Sequence, residues 1–78
     1  MEKQILKLCS GKEAVKILCN KFGFEVKRIK EDHAVMVKED VSGKLGIVIP
    51  LHREVKLPTL RNALKLAKVS EEEFAKFQ

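Results

Sequence analysis

The chain has 78 residues, 45% hydrophobic and 35% charged, with 16 Lys+Arg against 11 Asp+Glu and a formal net charge of +5. That length holds one small domain, residues 1–78, and the composition is that of a folded chain. A dinucleotide-binding domain does not fit, and Lys or Glu recurs too often for a membrane-spanning run.

Residues 1–8 carry no long apolar stretch and no small-residue cleavage site. No signal peptide is expected, and the expected compartment is the cytoplasm. Ser10-Gly11-Lys12-Glu13 is a capping box. The Ser hydroxyl and the Glu carboxylate each satisfy a backbone donor that the first helical turn leaves unpaired. Ala14, Val15, Ile17, Leu18, Cys19 and Phe22 then recur with helical spacing, and Gly23 supplies the left-handed residue that ends a helix. The first helix is predicted over residues 11–22.

Three strands follow. Residues 24–30 are rich in strand formers, Glu31-Asp32 form a turn, and residues 33–39 make the second strand. Residues 40–44 read as a hairpin loop with Gly43 at positive φ, and residues 45–49 as a third, more buried strand closed by Pro50. A turn centred on Ser42-Gly43 sets His33 opposite His52 across the strand pair. Leu60, Ala63, Leu64 and Ala67 line a second helix, with Arg61, Lys65 and Lys68 as a basic stripe beside them. Ser70 to Glu73 is a second capping box, opening a short terminal helix with Phe74 and Phe77 facing the core. Short connections argue for an antiparallel meander with both main helices on one face. The expected class is α+β, α-β-β-β-α with a three-stranded antiparallel sheet and a short C-terminal helix. This layout resembles the double-stranded-RNA-binding domain.

Residues 1–70 hold 15 of the 16 basic residues and 8 of the 11 acidic ones, a balance of +7. A basic body ahead of an acidic end suits a polyanion, nucleic acid first. Cys9 and Cys19 form no CxxC, and the two histidines are far from them in sequence, so neither a disulfide framework, a metal site nor a cofactor is expected. His33 and His52 are the side chains suited to proton transfer near neutral pH. Two imidazoles among cations match metal-independent RNA cleavage, in which a base takes the 2′-OH proton, an acid protonates the leaving 5′-oxygen, and cations hold the phosphate. Candidates to bind RNA are Lys12, Lys16, Arg28, Lys30, Arg53, Lys56, Arg61, Lys65 and Lys68.

At this point the sequence resembles a known family. Leu8-Cys9-Ser10-Gly11-Lys12-Glu13, Gly23-Phe24-Glu25-Val26 and Lys30 with His33 three places on are similar to the HicA toxin family, the YcfA-like mRNA interferases. Ile49-Pro50-Leu51-His52, Leu57-Pro58-Thr59-Leu60-Arg61 and Ser70 through Phe74 continue the resemblance in order and spacing. It implies a double-stranded-RNA-binding-domain-like fold, a metal-independent endoribonuclease toxin cutting single-stranded mRNA, and a HicB-like antitoxin protein as partner. It also implies His33 as the acid–base residue, with His52 on the family's Pro-x-His. The family's usual Lys-Gly-Ser-His signature stands here as Lys30-Glu31-Asp32-His33, and Ala34 replaces a frequent second His. The alternative is a non-catalytic RNA-binding module of the same fold. A third reading is an interaction protein whose basic surface meets an acidic partner.

Overall fold

A computed structural model describes residues 4–78. The expectation for the N-terminus rests in part on Met1 to Lys3, which lie outside the described residues. The elements are α1 (Gly11–Phe22), β1 (Glu25–Lys30), β2 (His33–Asp40), β3 (Gly43–Pro50), α2 (Leu57–Leu66) and α3 (Glu71–Ala75). The strands form one antiparallel sheet in the order β1-β2-β3. This is the α-β-β-β-α architecture with a short C-terminal helix, consistent with the double-stranded-RNA-binding-domain layout.

Both capping boxes form on the side of the serine. Ser10 Oγ accepts from the Glu13 amide at 3.1 Å, and Ser70 Oγ from the Glu73 amide at 3.4 Å. Gly23 ends α1 at φ 74, and its amide donates to the carbonyl of Leu18. That conformation costs an L-residue with a Cβ about 1–2 kcal/mol, which glycine avoids.

The sheet is buried on one face. Ala34 and Met36 of β2 and Ile47 and Ile49 of β3 point inward by the two-residue alternation of a strand. They join Ala14 and Leu18 of α1 and Leu60, Ala63 and Leu64 of α2 in a single core cluster, which Phe74 of α3 completes. The core is mostly aliphatic, with Phe24 and Phe74 as its buried aromatics. Phe74 is fully buried, but Phe77 is not the core residue expected of it. It is 45% exposed and packs edge-on against Phe22 at 5.8 Å. The helix ends at Ala75 and one further turn, closed by the Phe77 amide on the Phe74 carbonyl at 3.0 Å, carries Phe77 to the end of the chain against Phe22.

The hairpin register differs from the expected one. Asp40 pairs with Gly43, so the turn is the two residues Val41-Ser42, centred one position earlier. His33 therefore lies opposite Pro50 and not His52. Shifting the centre of a hairpin by one residue moves every cross-strand partner by two. Because the shift is even, each residue keeps its face, and the buried set is unaffected.

The first turn of α1 packs on the chain that leaves β3. The Gly11 amide donates to the carbonyl of His52 at 2.9 Å. A Cβ at position 11 would overlap the carbonyl oxygen of Pro50 and lie 2.7 Å from Leu51 Cα. The obstacle is backbone, which cannot swing aside as a side-chain tip can. Gly11→Ala is therefore expected to cost about 2–3 kcal/mol and to lower Tm in thermal denaturation. An unchanged Tm would show that the helix start is free to shift.

Candidate active site

His33 and His52 come together despite the changed register. His33 opens β2 beside the Glu31-Asp32 turn, and His52 lies two residues beyond the end of β3. Their ring centroids are 6.3 Å apart with planes at 66°. Both side chains are about half exposed, at 48% and 55%.

The group that joins them is Asp32. Its Oδ1 lies 2.9 Å from His33 Nδ1 and its Oδ2 2.9 Å from His52 Nε2. The hydrogen bond from His52 is the largest cause that holds the Asp32 carboxyl below its ordinary pKa, with both imidazoles adding electrostatic attraction. Asp32 is thus ionised at neutral pH; it accepts a hydrogen bond from the His52 ring and lies at ion-pair distance from the His33 ring. Two backbone bonds hold this arrangement in place. The Leu51 amide donates to the Asp32 carbonyl at 2.6 Å, and the Gly11 amide donates to that of His52.

Asp32 was not among the residues expected to serve the site. In the sequence it reads as half of a turn beside His33. Its contact with His52 exists only because the chain leaving β3 is tied back to that turn. Its adjacency to His33 was the available local signal.

The turn also accounts for part of the altered signature. Glu31 has φ 56, in the left-handed region that favours glycine. The family's usual Gly falls at this position. The backbone of the turn, rather than close approach to a phosphate, is sufficient reason for Gly there.

Strand pairing sets two of the candidate cations on the sheet face that carries His33. Lys30 is the direct cross-strand neighbour of His33, and Arg28 pairs with Val35 one alternation further along the same face. Directly paired residues have Cβ atoms about 5 Å apart. Lys12 follows Gly11 and so begins α1 beside the His52 loop, with Lys16 one turn on, and both are exposed. Arg53 follows His52 and is exposed. Lys56 flanks α2 and lies 3.7 Å from Glu54.

The stripe on α2 is placed differently. Arg61 lies 3.3 Å from Glu71 of α3. Lys68 donates to Asp40 at 3.3 Å and to Ser42 at 3.1 Å. Asp40 is at the far end of β2 from His33, seven residues and about 23 Å along the strand. Lys65 is exposed. Strand pairing puts Lys30 and Arg28 on the sheet face that carries His33, whereas Lys68 is held at the other end of β2 by Asp40 and Ser42.

Other reactive groups are quiet. Burial pushes the thiols of Cys9 and Cys19 up in pKa, away from the nucleophilic thiolate. Among the described residues no group of three His, Cys, Asp or Glu side chains is arranged to hold a metal ion. Among the same residues no helix is long and apolar enough to cross a membrane.

The fold and the site together define a small α+β domain with two accessible imidazoles set among cations. Residues 11–69 match the family described as the HicA toxin of bacterial toxin-antitoxin systems, and the chain belongs to that family. No curated protein matches the chain. HicA toxins are mRNA-cleaving enzymes that pair with HicB antitoxins.

Two outcomes follow from the turn and the carboxylates. Glu31→Gly removes a left-handed L-residue from an exposed turn and is expected to raise stability by about 1 kcal/mol, read by urea denaturation. Asp40 is held below its ordinary pKa chiefly by Ser42, with Lys68 next. A folded-state pKa below the unfolded one stabilises above about pH 4, and that contribution is lost as pH falls through the folded value. Asp40→Asn should therefore be less stable than the parent at pH 6, with the gap closing in acid. A gap that widens in acid would contradict the Ser42–Asp40–Lys68 contact.

Proposed function

We propose that this protein is the endoribonuclease toxin of a toxin–antitoxin pair, cutting single-stranded mRNA by acid–base catalysis without a metal ion. His33 is the acid–base residue and His52 its second. The observation that carries this reading is the pair of exposed imidazoles 6.3 Å apart, flanked by Lys30 and Arg28. At that spacing the two rings reach the entering and leaving oxygens of one phosphodiester. One neutral ring takes the 2′-OH proton as O2′ bonds to phosphorus, and the bond to O5′ breaks. The other ring, charged, gives its proton to O5′. The cations stabilise the charge that grows on the non-bridging oxygens. The products are a 2′,3′-cyclic phosphate and a 5′-hydroxyl.

Lys30, Arg28, Lys12, Lys16 and Arg53 hold the RNA near the cut, with Lys56 beside them. Arg61, Lys65 and Lys68 form a second basic stripe for the flanking strand. A HicB-like antitoxin protein is the partner that restrains the toxin. The Glu31-Asp32 departure from the family's signature keeps a second reading in play, a non-catalytic RNA-binding module of the same fold.

Incubation of the protein with single-stranded RNA in excess EDTA tests the mechanism. Cleavage is expected to persist, with cyclic or 3′-phosphate ends, while DNA of the same sequence stays intact. His33→Ala should reduce the rate at least about 100-fold, with binding of 2′-O-methyl RNA nearly unchanged. Loss of cleavage in EDTA, or 5′-phosphate products, overturns the mechanism. Tight RNA binding without cleavage by the parent protein would favour the second reading.

A further inference from the structure

The sheet face turned away from the core carries a groove beside the row of His33. Cross-strand pairing orders that face. Lys30, His33 and Pro50 make one row, and Arg28, Val35 and Val48 the next. Val37 and Gly46 follow in a third. Successive rows are two residues apart, about 7 Å along the strand. The groove, of about 290 Å³, opens over the second and third rows at the β3 edge of the sheet. Val35, Gly46 and Val48 line it from the strands, and Thr59, Asn62 and Leu66 from α2. Those helical positions are three and four residues apart and so share one side of the helix. Val48 is 49% and Leu66 54% exposed, and a Cβ placed on Gly46 would meet no atom within 4 Å. Two open aliphatic side chains thus flank a gap, and the polar side chains in its wall are Thr59 and Asn62.

We propose that this groove is a base subsite: it receives one nucleobase of the RNA strand, and Asn62 reads the edge of that base. RNA as the occupant rests on the function proposed above. A base has flat apolar faces and a polar rim, and a strand without a pairing partner can turn one outward into a protein. Val35, Val48 and Leu66 offer apolar surface to the faces, with Gly46 leaving the space. The Asn62 side chain carries a donor and an acceptor side by side. Adenine presents the complementary pair at N6 and N7, so adenine is the base expected there. Arg28 is exposed and is the cross-strand neighbour of Val35, where its guanidinium can stack on a base or hold the adjoining phosphate. A base seated one row from His33 fixes which phosphodiester lies at the imidazoles.

Local cost supports this role. Gly46 lies inside β3 at a backbone conformation open to any residue and with room for a side chain, and glycine weakens a strand interior. Asn62 lies inside α2, where it is a poorer helix former than alanine. Both choices run against local preference, and both line the same groove. Residues that break a local rule without a structural reason point to function. The competing occupant is an apolar anchor from a protein partner. Such an anchor would cover Asn62 and Thr59 without bonding to them, which costs the hydrogen bonds they make to water. A base covers the same residues and bonds to them. Continuity with the row of His33, Lys30 and Arg28 favours the base as well.

The test measures affinity at one fixed salt concentration for uncleavable 2′-O-methyl oligonucleotides of one length: oligo-adenosine, oligo-uridine, oligo-cytidine and an abasic strand with the same phosphates. The parent is expected to bind oligo-adenosine about 10-fold tighter than the abasic strand, and tighter than either pyrimidine strand. Asn62→Ala should bring the adenine and pyrimidine affinities together while leaving abasic binding unchanged. Gly46→Val fills the floor of the groove with a good strand former. It should keep or raise Tm, which shows that it folds, and lose the preference for bases over the abasic strand. Equal binding of the oligo-adenosine and abasic strands by the parent overturns the subsite and returns the groove to a protein partner. An adenine preference that survives in both variants places the base elsewhere and also overturns it. Because no step of the assay needs cleavage, the two readings part cleanly. A parent that cuts no RNA but shows an Asn62-dependent preference keeps the subsite and loses the ribonuclease, whereas one that cuts RNA with no such preference keeps the ribonuclease and loses the subsite.

Discussion

The close approach of Gly11 to the backbone of Pro50 and Leu51 is the constraint on which the imidazole pair depends. It lets the first amide of α1 reach the His52 carbonyl at 2.9 Å. The chain leaving β3 is thereby held from one side by α1 and from the other by the Asp32 carbonyl. Two backbone bonds on adjacent residues, Leu51 and His52, leave the chain little freedom at this point. His52 is placed by main-chain geometry, and its ring needs only the Asp32 carboxylate to complete its orientation. In a domain with an aliphatic core this small, a backbone-anchored loop is an economical way to hold a functional side chain at the surface.

The sheet divides structure from chemistry along its two faces. Ala34, Met36, Ile47 and Ile49 bury one face under the helices. His33, Lys30 and Arg28 share the other by the strand alternation and pairing. The same strands that build the core therefore aim the cations and the imidazole outward. At the opposite end of β2, Lys68 is drawn onto Asp40 and Ser42, where it links the end of α2 to the hairpin tip. Cations of equal formal charge thus have unequal surroundings. Lys68 and Arg61 face carboxylates, while Lys30 and Arg28 stand on the sheet face that carries His33.

The departure from the family's usual signature divides into two physical effects. Glu31 occupies a left-handed backbone position where glycine is unstrained, so it costs conformational energy. Asp32 places a negative charge beside both imidazoles and accepts a hydrogen bond from His52. The first effect bears on stability and the second on chemistry. Treating the two carboxylates as a single unfavourable change would miss that only Asp32 contacts the rings.

The helices, the three strands, their order and the family were legible in the amino-acid sequence, because each rests on local physics. Capping serines bond amides three residues away, glycines end helices, and alternation within a strand survives an even shift of register. The two histidines and the basic bias were legible for the same reason, since residue type alone confers them. Tertiary structure decided what no local rule reaches. It moved the hairpin centre by one residue and set His33 opposite Pro50. It left Phe77 half exposed against Phe22, past the end of α3. It brought Asp32 between two rings whose residues are 19 positions apart in the chain. That last contact depends on the packing of Gly11 against the loop after β3, a long-range fit of backbone to backbone that residue type and spacing do not encode.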